Sequence, residues 1–222
     1  MTLQGDMMNY PDTATSLIGR PAPSFVAHST KGMLNLEAFE GSWVLLFCHP
    51  ADFTPVCTTE FISLAKHKSE FDELGVELIG LSVDSVFSHL NWIEWIEDYA
   101  GITVDFPVIE DMSMSVSQAY GMIDGNSVNS AAVRACFFID PDQNIQAVIH
   151  YPMQVGRSVE ELLRVQKALI TTYQNDISVP AGWQPGDEVM ETTVNQMMEK
   201  PSGWLKRTLE KAFTFHNTNP KT

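Results

Sequence analysis

Six consecutive apolar residues, Trp43-Val44-Leu45-Leu46-Phe47-Cys48, leave this chain few choices of architecture. The run shows no polar alternation, so it suits a strand buried on both faces, which needs a covering layer on each side. The segments that follow can supply those layers. A helical pattern from about Cys57 to Leu74 gathers Phe61, Ile62, Leu64, Ala65 and Phe71 on one side, and Gly75 stops it. Val76 to Val83 is a second apolar strand, and Val86 to Tyr99 is an amphipathic helix carrying Leu90, Trp92, Ile93 and Ile96. A short strand at Phe106 to Ile109 and a short helix at Ser113 to Tyr120 come next. Ala131 to Ile139 and Ile145 to Tyr151 read as two strands joined through the turn-rich Asp140-Pro141-Asp142-Gln143-Asn144. Ser158 to Tyr173 is a helix with Ser158 as N-cap and Glu161 three residues on, a capping box. Strand, helix, strand, helix, hairpin and helix together predict an α/β fold with a mixed central sheet.

The ends of the chain read differently. Residues 1–17 form a polar leader, and residues 18–177 hold the α/β domain. Pro180, Gly182, Pro185 and Gly186 mark a linker-like stretch, followed by short helical patterns around Thr192 to Glu199 and Trp204 to Phe213. Residues 178–222 are therefore expected to be a small C-terminal arm. They are too few for a core of their own and should pack on the main domain or on a second subunit. A formal net charge of -15 argues against nucleic acid and anionic membrane surfaces as partners. No apolar run is long enough to span a bilayer, and Met1 to Arg20 lacks the basic start and apolar core of a secretory signal. A cytoplasmic location is expected.

The three cysteines, Cys48, Cys57 and Cys136, are too few for a disulfide framework, and no C-x-x-C pair suggests a zinc site. Cys48 and Cys136 lie inside apolar strand runs and read as core filler. Cys57 does not. It follows His49-Pro50-Ala51-Asp52-Phe53-Thr54-Pro55-Val56, where the first central strand gives way to the first long helix. Thr54 suits the N-cap and Pro55 the first helical position, so Cys57 falls in the first turn. Unpaired backbone N–H groups and the positive end of the helix dipole there favour thiolate over thiol. The Thr54 hydroxyl can both donate and accept beside the sulfur, and Pro50 closes the strand. Arg134, inside the apolar run Ala131 to Ile139, must find a partner or bear several kcal/mol of desolvation. Two readings stay open for it. It could pair with the thiolate and with Glu60, one turn on from Cys57, or it could be an edge-strand arginine snorkelling to a surface carboxylate.

Pro50-x-x-x-Thr54-x-x-Cys57 resembles the active-site motif of the peroxiredoxins, with Arg134 at the place of that family's active-site arginine. The longer run from Phe47 to Glu60 is similar to the one-cysteine, peroxiredoxin-six-like group. So are Ser82-Val83-Asp84-Ser85, Tyr151-Pro152 with Gly156-Arg157, and Pro180-x-x-Trp183-x-x-Gly186-Asp187. The resemblance spans roughly Ile18 to Met190. It implies a thioredoxin-like fold, a C-terminal dimerisation domain, a homodimer or higher homo-oligomer, and reduction of hydrogen peroxide and organic hydroperoxides. Cys57 would be the peroxidatic cysteine, with Thr54, Pro50 and Arg134 completing the pocket; His49, Glu60 and Arg157 are secondary candidates for orientation. The sulfenic acid formed would be reduced by an external thiol from a thioredoxin, glutaredoxin or glutathione system, with no metal or organic cofactor. No cysteine follows Cys136, so a resolving cysteine in the arm is missing. The phospholipase activity of some one-cysteine relatives is not implied, because Glu37 stands where their histidine would be. Two rival readings are an oligomeric chaperone or scaffold that retains the fold and a thiol–disulfide exchange protein, the latter disfavoured by the missing C-x-x-C.

Overall fold

The computed structural model describes residues 16–123, 133–175 and 177–191. Its centre is a seven-stranded mixed sheet: β1 (Val26–Ser29), β2 (Gly32–Asn35), β3 (Trp43–Cys48), β4 (Val76–Ser82), β5 (Val108–Glu110), β6 (Arg134–Ile139) and β7 (Ile145–Tyr151), in the spatial order β2-β1-β5-β4-β3-β6-β7. β3 runs parallel to β4, and β4 parallel to β5, while β6 and β7 are antiparallel additions on the other flank of β3. Every residue of β3 is buried, as its unbroken apolar run requires.

Alternate residues of the central strands serve two cores. Leu45, Phe47, Cys136 and Phe138 face one helical layer; Val44, Leu46, Cys48, Ala135, Phe137 and Ile139 face the opposite side. The first layer holds α1 (Pro55–Lys66), α2 (Lys68–Glu73), α3 (Val86–Ala100) and α5 (Val159–Gln174), each with buried side chains in or beside that core. α4 (Ser115–Ala119) contributes Val116 to the other. Gly80 on β4 lets this layer come close, since a Cβ there would lie 3.3 Å from Phe47 Cζ and 3.4 Å from Phe61 Cζ.

Several expectations change in detail. The helix expected from about Cys57 to Leu74 starts at Pro55 and breaks at His67, whose ring Nδ1 and backbone N–H both take the Ser63 carbonyl. Gly75, at φ 67°, ends α2 in the left-handed region that favours glycine. The capping box at α5 is half formed. Ser158 Oγ accepts from Glu161 N, but the Glu161 carboxylate turns to Arg164 instead of the cap. The β1–β2 hairpin was not anticipated. Past α5, β8 (Ile177–Ser178) pairs antiparallel with β9 (Met190–Glu191). Trp183, at the start of the arm, is buried, and Arg164 donates to its carbonyl. The helical patterns after Glu191, the polar leader up to Thr15 and the first residues of the strand expected from Ala131 lie outside the described residues.

Candidate active site

The site forms where the carboxyl end of β3 meets the amino end of α1. Thr54 has the extended backbone of an N-cap, and Pro55 occupies the first helical turn. Its hydroxyl, however, does not cap the helix. Thr54 Oγ1 donates to the Ala51 carbonyl at 2.9 Å, and its lone pairs stay available. The first intrahelical bond runs from Thr58 N to Thr54 O at 2.9 Å, so the N–H groups of Val56 and Cys57 precede the ladder and carry the positive end of the dipole. Cys57 itself is fully buried, and Pro50 before it is buried too.

Arg134 supplies the opposite wall. Of its two open readings, the buried one is observed: β6 lies inside the sheet between β3 and β7, and Arg134 is 2% exposed. Its Nη1 donates to Cys57 Sγ at 3.3 Å and to Glu60 Oε2 at 2.5 Å, while Nε donates to the Met153 carbonyl at 2.8 Å. Glu60 is braced from behind by Arg157, whose Nε and backbone N–H donate to Oε1 and whose Nη2 donates to Oε2, all at 2.8 Å. Burial works against charge on Glu60, but the hydrogen bonds and charge of Arg157, helped by Arg134, hold its carboxyl below the usual 4.5. Arg157 also reaches the carbonyls of Cys48 and Ala135 at 2.9 and 3.1 Å and stacks over the Phe47 ring at 5.4 Å. It thereby ties β3, β6 and α1 to the turn before α5. Gly156 is part of that closeness: a Cβ there would lie 3.4 Å from Val56 Cγ1 and 3.8 Å from Glu60 Cγ.

The other two thiols are held apart in the cores. Cys48 points to the face opposite Cys57, accepting from Ala135 N and facing the Val133 carbonyl, and burial pushes its thiol up to about 12. Cys136 shares the core that holds Cys57 and lies 3.5 Å from Arg157 Nη1; burial raises its thiol as well.

His49 makes no hydrogen bond to the sulfur. It is fully buried, with Nε2 on Asp52 Oδ1 at 2.8 Å and its ring against Phe61 and Trp92. Sequence reasoning missed its two associates. Asp52 and His89 complete a closed trio in which His89 Nδ1 lies 2.8 Å from Asp52 Oδ2. A usable signal existed, because His89 shares the buried side of α3 with Trp92 and Ile96 at helical spacing. Among the described residues this trio is the one group of histidine and acidic side chains close enough to share a cation. An ion there would displace both histidine contacts of Asp52 and would have to pass a solvent-closed shell, so the arrangement suits an internal hydrogen-bond network better than a metal centre.

A buried cysteine at a helix start, hydrogen-bonded to an arginine and backed by a carboxylate, on a mixed sheet with helices on both faces, is an arrangement suited to a thiol-based redox enzyme. The model of the AhpC/TSA family matches residues 18–148. A peroxiredoxin of Thermoplasma volcanium is 46% identical over 187 residues, covering 83% of this chain and 91% of that protein. A peroxiredoxin 2 of Picrophilus torridus is 42% identical over 198 residues, covering 86% of this chain and 98% of its own. Among solved structures, a cysteine-to-serine mutant of the peroxiredoxin 6 of Arenicola marina aligns with a TM-score of 0.77 at 33% identity, covering 92% of this chain and 99% of that one. A yeast mitochondrial one-cysteine peroxiredoxin, studied for thiol resolving via glutathione/thioredoxin systems, aligns at 0.74 and 43% identity, covering 78% and 85%. The chain belongs to the AhpC/TSA family and, within it, to the peroxiredoxins. It is a thiol-dependent peroxidase with the thioredoxin-like fold of that family.

Proposed function

We propose that Cys57 is the peroxidatic cysteine, that Arg134, Thr54 and Pro50 complete its pocket, and that the enzyme works with this one cysteine. What carries the reading is the 3.3 Å hydrogen bond from Arg134 Nη1 to Cys57 Sγ at the first turn of α1. The sulfur attacks the terminal oxygen of hydrogen peroxide or an organic hydroperoxide, the O–O bond breaks, and Cys57 becomes a sulfenic acid. The other oxygen leaves with the bonding pair and takes a proton, giving water or an alcohol. Arg134, the Thr54 hydroxyl and the N–H groups of Val56 and Cys57 face the charge as it moves onto that oxygen. Glu60 and Arg157 hold Arg134 in place, so their part is positioning.

The sulfenic acid is then reduced by an external thiol. That reductant belongs to a thioredoxin, glutaredoxin or glutathione system, the thioredoxin and glutathione members being those associated with the yeast one-cysteine relative. A reducing compartment, the cytoplasm, suits three free thiols. No described helix is long and apolar enough to cross a membrane. Residues 18–177 make up the peroxidase domain and residues 178–222 the arm of a homodimer or higher homo-oligomer. Sedimentation velocity of the full chain reads that assembly, and a monomer-only profile would exclude it.

Neither remaining thiol is suited to resolve Cys57. Cys48 lies on the other face of the sheet, and burial raises both thiols away from the nucleophilic form. The Cys48→Ser, Cys136→Ser double variant is therefore expected to keep steady-state peroxide consumption with dithiothreitol. Loss of turnover in a folded double variant would assign one of these thiols a redox role.

A further inference from the structure

The closed trio of His49, Asp52 and His89 sits beside the carboxyl ends of β3 and β5. Asp52 Oδ1 takes His49 Nε2 at 2.8 Å, and its two oxygens face His89 Nδ1 at 3.0 and 2.8 Å. The Asp52 backbone N–H donates to Asp84 Oδ2 at 2.9 Å. On its far side, His89 Nε2 lies 3.2 Å from the Ile109 carbonyl oxygen. Neither a carboxylate nor a carbonyl can donate, so both contacts of His89 are filled only when each ring nitrogen carries a proton. A neutral ring would set two acceptors face to face in a site closed to water. His49 is the opposite case. Its Nδ1 is buried without a partner, its Nε2 faces Asp52, and burial disfavours its charged form. Both features suit a neutral ring protonated on Nε2.

We infer that His89, as an imidazolium paired with the Asp52 carboxylate, is a positioning residue that clamps the Pro50 to Thr54 loop in front of Cys57. The loop has a reason to need clamping. Phe53, one residue beyond Asp52, holds φ at 58°, a left-handed conformation that strains a bulky aromatic residue. The residue is 54% exposed, its ring touching only the edge of Trp92 and Trp95 at 6.4 Å between centroids, so burial of the ring is a weak hold on that conformation. The anchors lie on either side: Asp52 is fixed through His49, His89 and Asp84, and Thr54 through its bond to Ala51. Through Ile109 and α3, His89 connects this loop to the rigid sheet. If the Asp52 anchor is lost, Phe53 is free to return toward ordinary backbone angles. Such a change turns Thr54 and the start of α1 relative to Arg134.

The positioning role rests on Cys57 being the nucleophile; the charge assignment does not, and the two are measured separately. Long-range proton–nitrogen correlation spectra of the histidines in the full-length wild type should show His89 protonated on both nitrogens near neutral pH and His49 on Nε2 alone. A His89 with one bare nitrogen overturns the inference whatever Cys57 does. For positioning, His89→Asn places an amide nitrogen near Nδ1 and keeps the Asp52 contact, whereas His89→Gln places it near Nε2 and keeps only Ile109. His89→Gln should lose at least about tenfold more of the peroxide rate constant than His89→Asn, while alkylation of Cys57 by iodoacetamide, which needs no alignment with Arg134, differs by less than about threefold between them. Equal peroxide rates in the two variants, or alkylation falling in step with peroxide reactivity, would overturn the clamp. The wild-type spectrum decides the charge assignment by itself should either variant fail to fold.

Discussion

Lysine in place of Arg134 is expected to lower the second-order rate constant of the peroxide reaction on the order of ten- to a thousand-fold, by analogy with the about hundred- to thousand-fold cost of losing a preorganised donor to a developing oxyanion. Arg134 uses a rigid fork in two directions. Nε is fixed on the Met153 carbonyl, and that bond aims Nη1 between Cys57 Sγ and Glu60 Oε2. A lysine ammonium keeps the charge but arrives on a flexible stem and cannot hold the planar geometry. The substitution thus separates charge from aim. Rapid-mixing measurement of peroxide reduction under pseudo-first-order conditions reads the change, with circular dichroism confirming the fold. A wild-type rate would remove Arg134 from the reacting pocket.

Glu60→Gln should act on stability even more directly than on rate. The carboxylate accepts four hydrogen bonds, one from Arg134 and three from Arg157, and its side chain is 3% exposed. An amide turns one acceptor into a donor that faces arginine N–H groups and leaves two buried guanidiniums without a countercharge. The expected loss near pH 7 is about 3–5 kcal/mol, the usual consequence of removing one partner of a buried ion pair. The pH dependence has a definite sign. Because the folded Glu60 is held below 4.5, its contribution is fully present above that value and is lost as the pH falls through the lower, folded value. The gap in urea midpoint between wild type and Glu60→Gln should therefore be wide near neutrality and narrow in acid. Asp52, also held low despite burial by its two histidines, loses its own contribution on the acid side in both proteins, so the difference isolates Glu60. A gap that stays constant from neutral to acid pH would contradict the proposed charge.

Much of this site could be read from residues in order, and the unread part has a physical cause. β3 was legible because burial on both faces leaves an unbroken apolar run. Cys57 was legible because Thr54-Pro55 announces a helix start, a signal that lies within four residues. The β1–β2 hairpin was not, since its strands are four residues long and leave Val26 and Met33 exposed at 65% and 61%. At the break, the His67 ring and backbone N–H share the Ser63 carbonyl, a local arrangement that periodicity does not register. Arg134 could be recognised as needing a partner, but whether β6 was an edge strand required the sheet order. His89 stands 37 residues from Asp52, and a histidine on the buried face of a helix reads as core until its partner is placed. Thr54 was in the expected N-cap position, but its hydroxyl donates to the Ala51 carbonyl and takes no helix N–H, a choice of local partner that residue order does not reveal.

The most direct test of the account is to treat the reduced wild-type protein with one equivalent of hydrogen peroxide, trap sulfenic acid with a cyclic 1,3-dione, and map the product by intact mass and peptide mass spectrometry. The predicted result is a single adduct on Cys57, with Cys48 and Cys136 recovered as free thiols and no disulfide-linked species on a non-reducing gel. Peroxide consumed with Cys57 recovered as a free thiol, or with an adduct on either of the other two cysteines instead, would contradict the assignment of Cys57 as the reacting sulfur.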